Sequence, residues 1–227
     1  VTIALMDVAA SYGKFVMSGQ PVSSEIARKV ESNPEQFANF WKSSWNSDAY
    51  AKAVFEAVEG LIAAGKFTPG DKKIAFVFED TDYGKSNTEY ALPLFKDAGW
   101  TETGHEAVPL GHSDFYPQLS KLRGNAPDVL VSIFTSVNSG IALTKQIKET
   151  GLDTLHVAIY YPLRPEFHEG IGADSENMLW TPMLYDPVNN EKHKALYDML
   201  AEKGITGTGD HAQGYCQFAM LVDNIKR

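Results

Sequence analysis

The chain has 227 residues, of which 44% are hydrophobic, so it is long and apolar enough to bury a core rather than stay disordered. Its formal net charge of −9 argues against nucleic acid and anionic membrane surfaces as partners, because both repel an acidic protein. The single cysteine, Cys216, excludes an internal disulfide. Since Cys216 lies within an apolar helical segment, we expect a buried thiol.

The first 65 residues predict three helices and one short strand. The chain opens inside a helical pattern with no capping residue before it, so we expect further residues to precede Val1 in the full protein. The predicted elements are a helix ending at Gly13, a strand over 15–17, a helix opened by Ser23 or Ser24, and an amphipathic helix over 48–64.

From residue 72 to Pro182 the chain alternates strands and helices. Two strands, at 73–78 and 128–133, are continuous apolar runs, which predict strands covered by helices on both faces. The other predicted elements of this block are strands at 102–108 and 155–159 and helices at 86–98, 114–122 and 138–150. Two further helices, at 191–203 and 213–225, are predicted after the block. This order predicts an α/β fold with a doubly wound parallel sheet and right-handed crossovers.

The sequence patterns typical of catalytic, nucleotide-binding and metal-binding sites are incomplete or absent. Gly84-Lys85-Ser86 resembles the end of a phosphate-binding loop, but the required earlier glycine is Glu79, which would repel phosphate. A calcium loop opening at Asp80 would need glycine at its sixth position, where Lys85 stands. The sequence contains no HExxH, GxSxG or GxGxxG motif. We therefore predict a non-enzyme without catalytic residues, metal site or cofactor.

The loops after the predicted strands carry the candidate binding residues. In open α/β sheets, ligands bind beyond the carboxyl ends of the strands. These loops are rich in hydroxyls, aromatic rings and exposed backbone, which suit hydrogen bonding to a small polar ligand. The candidate residues are Ser18, Gly19, Gln20, Tyr83, Thr135, Ser136, Tyr160 and Tyr161, beside the acids Glu79, Asp80 and Asp82.

A run of segments resembles the branched-chain amino acid and amide solute-binding proteins, which have the type I periplasmic binding fold. Apolar Lys-Ile-Ala-Phe-Val-Phe-Glu-Asp at 73–80 is followed by Asp-Tyr-Gly-Lys at 82–85. Further matches are Asp-Phe-x-x-x-Leu-x-x-Leu at 114–122, Pro-Asp and an apolar strand at 127–131, and Lys-Gln-x-Lys-Glu-x-Gly-Leu at 145–152. The order and spacing of these segments over about 110 residues carry the resemblance.

The resemblance implies two lobes, each a parallel sheet flanked by helices, that close on a ligand in the cleft between them. The lobes are discontinuous: we expect residues 1–47 and 184–227 in the first lobe, which is incomplete, and 48–183 in the second. In amino acid binders of the family, the loop matching Ser18 to Ser23 holds the ligand carboxylate. The tyrosine matching Tyr83 lines the cleft from the other lobe.

An acid that pairs the ligand ammonium in such binders is absent here. Tyr160 and Tyr161 stand in its place, and a buried ammonium without a carboxylate partner is costly. A tyrosine pair suits a cation, an aromatic group or an amide instead, and Glu79, Asp80 or Asp82 remain as alternative sources of charge.

The resemblance implies the solute-binding component of an ABC importer, periplasmic or anchored to the membrane as an extracytoplasmic lipoprotein. We expect a monomer that binds an amino acid, an amide or a related metabolite by hinge closure and delivers it to permease subunits. Two alternatives stay open at this point: a ligand-sensing domain of a receptor or regulator with the same fold, and an enzyme.

Overall fold

The computed structural model describes residues 2–181 and 185–226. The strands are β1 (Val16–Ser18), β2 (Phe40–Lys42), β3 (Lys73–Glu79), β4 (Thr101–Val108), β5 (Val129–Phe134), β6 (Leu155–Tyr160) and β7 (Leu179–Thr181). The α-helices are α1 (Thr2–Ser11), α2 (Ser24–Ser32), α3 (Ser47–Ala63), α4 (Asp82–Asp97), α5 (Tyr116–Arg123), α6 (Val137–Thr150), α7 (Pro165–Ile171), α8 (Glu191–Ala201) and α9 (Gly209–Lys226). Short 3-10 turns occupy Tyr161–Leu163 and Gly172–Ser175.

Five strands form one parallel sheet in the order β4-β3-β5-β6-β7. The predicted α/β class and the parallel sheet are therefore confirmed. All six residues of β5 are buried, and so are the last six of β3, as their continuous apolar runs predicted. A separate parallel pair joins β1 to β2.

Helices cover both faces of the five-stranded sheet. One core contains alternate strand residues such as Phe76 and Val131, packed with residues of α3 and α4. The other contains the intervening residues such as Val77 and Leu130, packed with residues of α5, α6 and α7. Because successive side chains of a strand point to opposite faces, the apolar runs of β3 and β5 supply both cores at once.

The chain divides into two compact units. Among the described residues, the larger unit comprises 22–29 and 45–181, and the smaller comprises 2–21, 30–44 and 185–226. Residues 22–29, which the sequence placed in the first lobe, group with the larger unit. Val22 lies in the core that faces α3, and its carbonyl oxygen accepts a hydrogen bond of 3.1 Å from the Ser47 hydroxyl. The predicted boundary between residues 183 and 184 falls outside the described residues.

Several elements differ from the prediction. The three-residue strands β2 and β7 and the helix α7 were not predicted, and α4 and α9 each begin four residues earlier than expected. The expected burial of Cys216 is wrong, because its residue is exposed. Ala212 is the only buried residue in the described part of α9. The apolar composition of this helix therefore does not place Cys216 in a core.

Asp128 ties the start of β5 to the segment that leads into β3. Its carboxylate accepts backbone hydrogen bonds from Gly70 (2.6 Å), Asp71 (3.2 Å) and Lys73 (2.8 Å). Burial acts to raise the pKa of Asp128, but these three N–H donors and the Lys73 charge outweigh it and lower the pKa below its ordinary value of 3.8. The ionised form is therefore the one that the fold stabilises.

We expect Asp128→Asn to lower the free energy of unfolding by about 1 kcal/mol at pH 7, a value kept small because solvent partly screens the site. A lowered pKa in the folded state contributes stability above the ordinary pKa and loses it as the pH falls through the folded value. Urea unfolding at pH 7 and pH 3 should therefore show the gap between the two proteins shrinking on acidification. An equal gap at both pH values would contradict the role of the charge.

Candidate functional site

A buried carboxylate organises the carboxyl ends of two neighbouring strands. Glu79, the last residue of β3, is fully buried. Its Oε1 accepts a hydrogen bond of 2.9 Å from the backbone N–H of Ser136, and its Oε2 accepts one of 2.6 Å from the Thr135 hydroxyl. Because β3 and β5 are adjacent and parallel, Glu79 holds the loop that follows β5 in a fixed conformation.

The same loop begins α6. The Ser136 hydroxyl caps this helix by accepting a 3.2 Å hydrogen bond from the backbone N–H of Ser139. Thr135, one residue earlier, is exposed. Thr135 and Ser136, both predicted from the sequence as site residues, therefore lie side by side at the end of the sheet, held by one acid.

The turn between β3 and α4 is equally tight. The Thr81 side chain caps α4 by accepting a 3.2 Å hydrogen bond from the backbone N–H of Gly84. Gly84 is buried, and a Cβ added there would overlap the backbone carbonyl oxygen of Glu79. The absence of a side chain at Gly84 thus lets the first turn of α4 lie against the end of β3, which places Tyr83 at this edge.

Tyr83 carries a polar atom without a partner. The residue as a whole is partly exposed, but its hydroxyl oxygen is buried and forms no hydrogen bond. Burial, and to a smaller extent the neighbouring Tyr50, Tyr160 and Glu79, raises the pKa of Tyr83 well above its ordinary value, so the hydroxyl keeps its proton. A buried hydroxyl is nearly always paired in a native protein, so this one requires an explanation.

Tyr160 ends β6 in a strained backbone conformation. Its φ of 76° and ψ of −59° lie close to the rare γ-turn with positive φ, which side chains with a Cβ seldom adopt. Its half-buried ring packs against the core that contains Phe76 and Phe78. Strain of this kind concentrates at ligand-binding sites, where the surrounding structure maintains it.

Tyr161 does not join these residues. It is fully buried in the opposite core, beside Phe134 and Phe167. Its hydroxyl lies 2.7 Å from Ser132 Oγ and 3.2 Å from His156 Nε2, and burial raises its pKa. The structure therefore gives Tyr161 a place in the core and leaves Tyr160 alone of the pair at the edge.

Ser23 also lies in the larger unit, directly before α2. It is buried, and its hydroxyl accepts a 3.3 Å hydrogen bond from the backbone N–H of Glu25. This arrangement is that of a helix-capping residue. It leaves the hydroxyl hydrogen of Ser23 available to donate.

Ser18, Gly19 and Gln20 belong to the smaller unit. The carbonyl oxygen of Gly19 accepts side-chain hydrogen bonds from Gln213 (3.0 Å) and Gln217 (2.6 Å) of α9. A Cβ at Gly19 would meet the Gln217 amide, the far end of a flexible side chain, so a larger residue at this position would displace that amide. The predicted loop is thus positioned by α9 through its backbone.

Four of the predicted residues lie together in the larger unit: Tyr83, Thr135, Ser136 and Tyr160. We call them, with Glu79, the carboxyl edge. The sequence suggested Glu79 as an alternative source of charge but did not indicate its role in positioning the loop. The available signal was an acid directly after a buried strand, whose side chain must find donors at the end of the neighbouring strand.

Across residues 2–181 and 185–226, no three His, Cys, Asp or Glu side chains are grouped so that they could hold a metal ion. Within the same residues, no helix has the length and apolar character needed to cross a membrane.

A family model described as "Periplasmic binding protein" matches residues 1–227. No curated protein sequence matches significantly. Among solved structures, a Silicibacter pomeroyi protein assigned to branched-chain amino acid ABC transport is 20% identical, with a TM-score of 0.81, and the alignment covers 95% of this chain and 54% of that one.

Two ligand complexes are also similar. A branched-chain amino acid transporter substrate-binding protein from Streptococcus pneumoniae, in complex with isoleucine, is 17% identical (TM-score 0.79; 98% and 60% of the two chains covered). An ABC transporter solute-binding protein from Rhodopseudomonas palustris, in complex with 3,4-dihydroxybenzoic acid, is 16% identical (TM-score 0.75; 99% and 58% covered). At these identities the likeness concerns the fold, and the chain spans a little over half the length of these structures.

Proposed function

Because this chain belongs to the periplasmic binding protein family, we propose that it is the extracytoplasmic solute-binding component of an ABC importer. Its ligand is a small polar molecule: an amino acid, an amide or a related metabolite. Binding involves no chemical step, and the ligand passes to permease subunits after release. The observation that carries the proposal is the buried, unpartnered hydroxyl of Tyr83 at the carboxyl edge.

The chemistry of the carboxyl edge favours a ligand that accepts a hydrogen bond from Tyr83. Its protonated hydroxyl can donate to a carbonyl or carboxylate oxygen. Thr135 and Ser136 add two hydroxyl groups. They lie on the loop after β5, which Glu79 already holds in place. A site fixed before the ligand arrives loses little conformational entropy on binding.

Tyr160 supplies an aromatic surface beside Tyr83. The strained backbone at Tyr160 is supported by packing against the core, so the ring is held rather than free to rotate away. An aromatic face covers the apolar or amide part of a small ligand. The contribution that the family resemblance assigns to Ser18, Gly19, Gln20 and Ser23 stays a prediction, which alanine substitution in the same assay tests.

Isothermal titration with a panel of amino acids, amides and small carboxylates tests the proposal. We expect at least one compound to bind with one-to-one stoichiometry and to raise the melting temperature, as a ligand specific for the folded state must. Absence of binding across the panel would contradict the proposed ligand class. Conversion of the bound compound would contradict the assignment as a binding protein.

We expect Tyr83→Phe to weaken binding of the identified ligand about tenfold, because one hydrogen bond is worth about 1 kcal/mol or slightly more. The same substitution should leave the ligand-free protein as stable as before or slightly more stable, since it removes a buried polar atom without a partner. Calorimetric titration and urea unfolding of one protein preparation measure both effects.

Tyr90→Phe is the matched control, because Tyr90 lies two turns further along α4 and packs against the same core. It should leave the affinity unchanged. If Tyr83→Phe destabilised the ligand-free protein and left the affinity intact, the hydroxyl would have a structural partner and the carboxyl edge would lose its main support.

A further inference from the structure

Tyr160 needs support from its surroundings to keep its backbone conformation. A tyrosine with a φ of 76° and a ψ of −59° is strained, and such strain persists only where several neighbouring contacts enforce it. The packing of the Tyr160 ring against its core is one such restraint. The residue that follows, Tyr161, supplies a second.

The Tyr161 hydroxyl belongs to a buried chain of polar groups. It lies 2.7 Å from Ser132 Oγ, which in turn lies 2.7 Å from His156 Nε2. Ser132 and Tyr161 are fully buried, and His156 is only 5% exposed. We call these three residues the buried triad. Because Ser132 is in β5 and His156 is in β6, the buried triad ties Tyr161 to two strands of the sheet.

Both contacts of Ser132 can be hydrogen bonds when the buried triad is neutral. Burial, assisted by the Lys148 charge, lowers the pKa of His156 to about 3, so its ring is neutral at pH 7. Burial raises the pKa of Tyr161, so its hydroxyl keeps its proton. Since a hydroxyl both donates and accepts, Ser132 can bridge the two rings whichever nitrogen of His156 carries the proton.

The ring of Tyr161 is held as well as its hydroxyl. Its centroid lies 5.8 Å from that of Phe134 and 5.2 Å from that of Phe167. A Cβ added at Gly140, in the first turn of α6, would overlap the Tyr161 ring, so the helix backbone lies directly against this ring. The side chain of Tyr161 is therefore fixed along its whole length.

The position of Tyr161 requires the turn at Tyr160. Ser132 is the register partner of Ala158, which lies three residues before Tyr161. An extended chain would carry Tyr161 about 10 Å beyond Ala158, at roughly 3.3 Å per residue. The turn at Tyr160 instead brings the next side chain back to Ser132. The hydrogen bonds of the buried triad and the strained torsions of Tyr160 therefore depend on each other.

We propose that Ser132, His156 and Tyr161 are positioning residues for the carboxyl edge, because the buried triad locks the turn that presents the Tyr160 ring. The proposal rests on the proposed function, since it takes Tyr160 as a ligand contact. The three residues act through Tyr160 and not by contact with the ligand. Without their hydrogen bonds, Tyr160 relaxes to ordinary torsions and its ring leaves the position that the ligand requires.

Ser132→Ala and Tyr161→Phe test the proposal, because each removes one hydroxyl and retains the rest of the core. With tyrosines labelled with ¹³C and ¹⁵N, we expect the backbone resonances of Tyr160 that report its φ to shift or split in both ligand-free variants. The dissociation constant for the tightest-binding compound of the titration panel should rise about fivefold, which corresponds to an aromatic contact of about 1 kcal/mol. The double variant should add little, because the buried triad acts as a unit.

Thr150→Val is the matched control, since it removes a hydroxyl hydrogen bond at the last residue of α6. It should leave the Tyr160 resonances and the affinity unchanged. Variants of the buried triad that melt at a lower temperature but keep both readouts unchanged would show a structural role only and overturn the proposal, as would shifted resonances with unchanged affinity.

The two readouts also distinguish failure of this proposal from failure of the proposed function. The Tyr160 resonances are measured without ligand, so unchanged resonances overturn the proposal even if no panel compound binds. Shifted resonances without any binder in the panel would support the lock on Tyr160 and place the failure in the proposed function.

Discussion

Replacing Gly84 with alanine is expected to lower the free energy of unfolding by about 3 kcal/mol, the upper end of the range for overpacking. A Cβ at Gly84 would overlap the backbone carbonyl oxygen of Glu79, which cannot move aside as a flexible side chain would. The first turn of α4 must therefore shift away from the end of β3. Because Tyr83 is the residue before Gly84, ligand affinity should fall as well.

Gly60→Ala is the matched control for this substitution. Gly60 lies within α3, and a Cβ there would meet no atom within 4 Å. Alanine has the higher helix propensity, so the control should raise the free energy of unfolding by about 0.8 kcal/mol. Urea unfolding of both variants measures the contrast. Similar small effects at the two positions would mean that α4 does not approach β3 as closely as the structure has it.

Replacing Glu79 with alanine is expected to lower the free energy of unfolding by about 2 kcal/mol. The substitution removes the acceptor of two charge-assisted hydrogen bonds and leaves the Ser136 N–H without its partner. Part of the loss is offset because the variant no longer buries a carboxylate. Since Glu79 fixes the loop that holds Thr135 and Ser136, affinity for the carboxyl-edge ligand should fall in parallel.

Glu79→Gln separates the charge from the volume of the side chain. Its amide oxygen can accept one of the two hydrogen bonds, so about half of the stability should return. Thr135→Ala is a further control, because it removes one donor and leaves the Ser136 bond in place. Equilibrium unfolding and calorimetric titration measure stability and ligand affinity for all three variants. The loss of both should be largest for Glu79→Ala, smaller for Glu79→Gln and smallest for Thr135→Ala. A Glu79→Ala protein with unchanged stability and affinity would exclude the positioning role.

Much of the larger unit could be predicted from sequence because the pattern of burial repeats there. The continuous apolar runs of β3 and β5 predicted strands covered on both faces. The helices that follow these strands end at glycines such as Gly99 and Gly151. Once the sheet is parallel, the residues after its strands must meet at one edge. Tyr83, Thr135, Ser136 and Tyr160 were therefore within reach of the sequence.

The shortest strands, and the helix faces that no other element covers, could not be predicted from the sequence. Strands β2 and β7 have three residues each, too few for alternation to be distinguished from chance. The composition of α9 predicted burial of Cys216, but composition does not state which other element covers a helix face. Such contacts join residues far apart in sequence.

Tyr160 and Tyr161 show most clearly what could not be predicted from the sequence. Val157 and Ile159 face one core and Ala158 the other, so strict alternation would place Tyr160 with Ala158. The positive φ at Tyr160 breaks this alternation: Tyr160 packs with the first core, and Tyr161 turns back along the second to reach Ser132 and His156.

The sequence by itself thus determined the α/β class, the family resemblance and the strand-end loops, since local periodicity and residue order suffice for these. Only the tertiary structure decided which of the two tyrosines lies at the carboxyl edge and which acid holds the loop after β5. Each of these depends on backbone torsions or on contacts between distant segments, for which hydrophobic periodicity carries no signal.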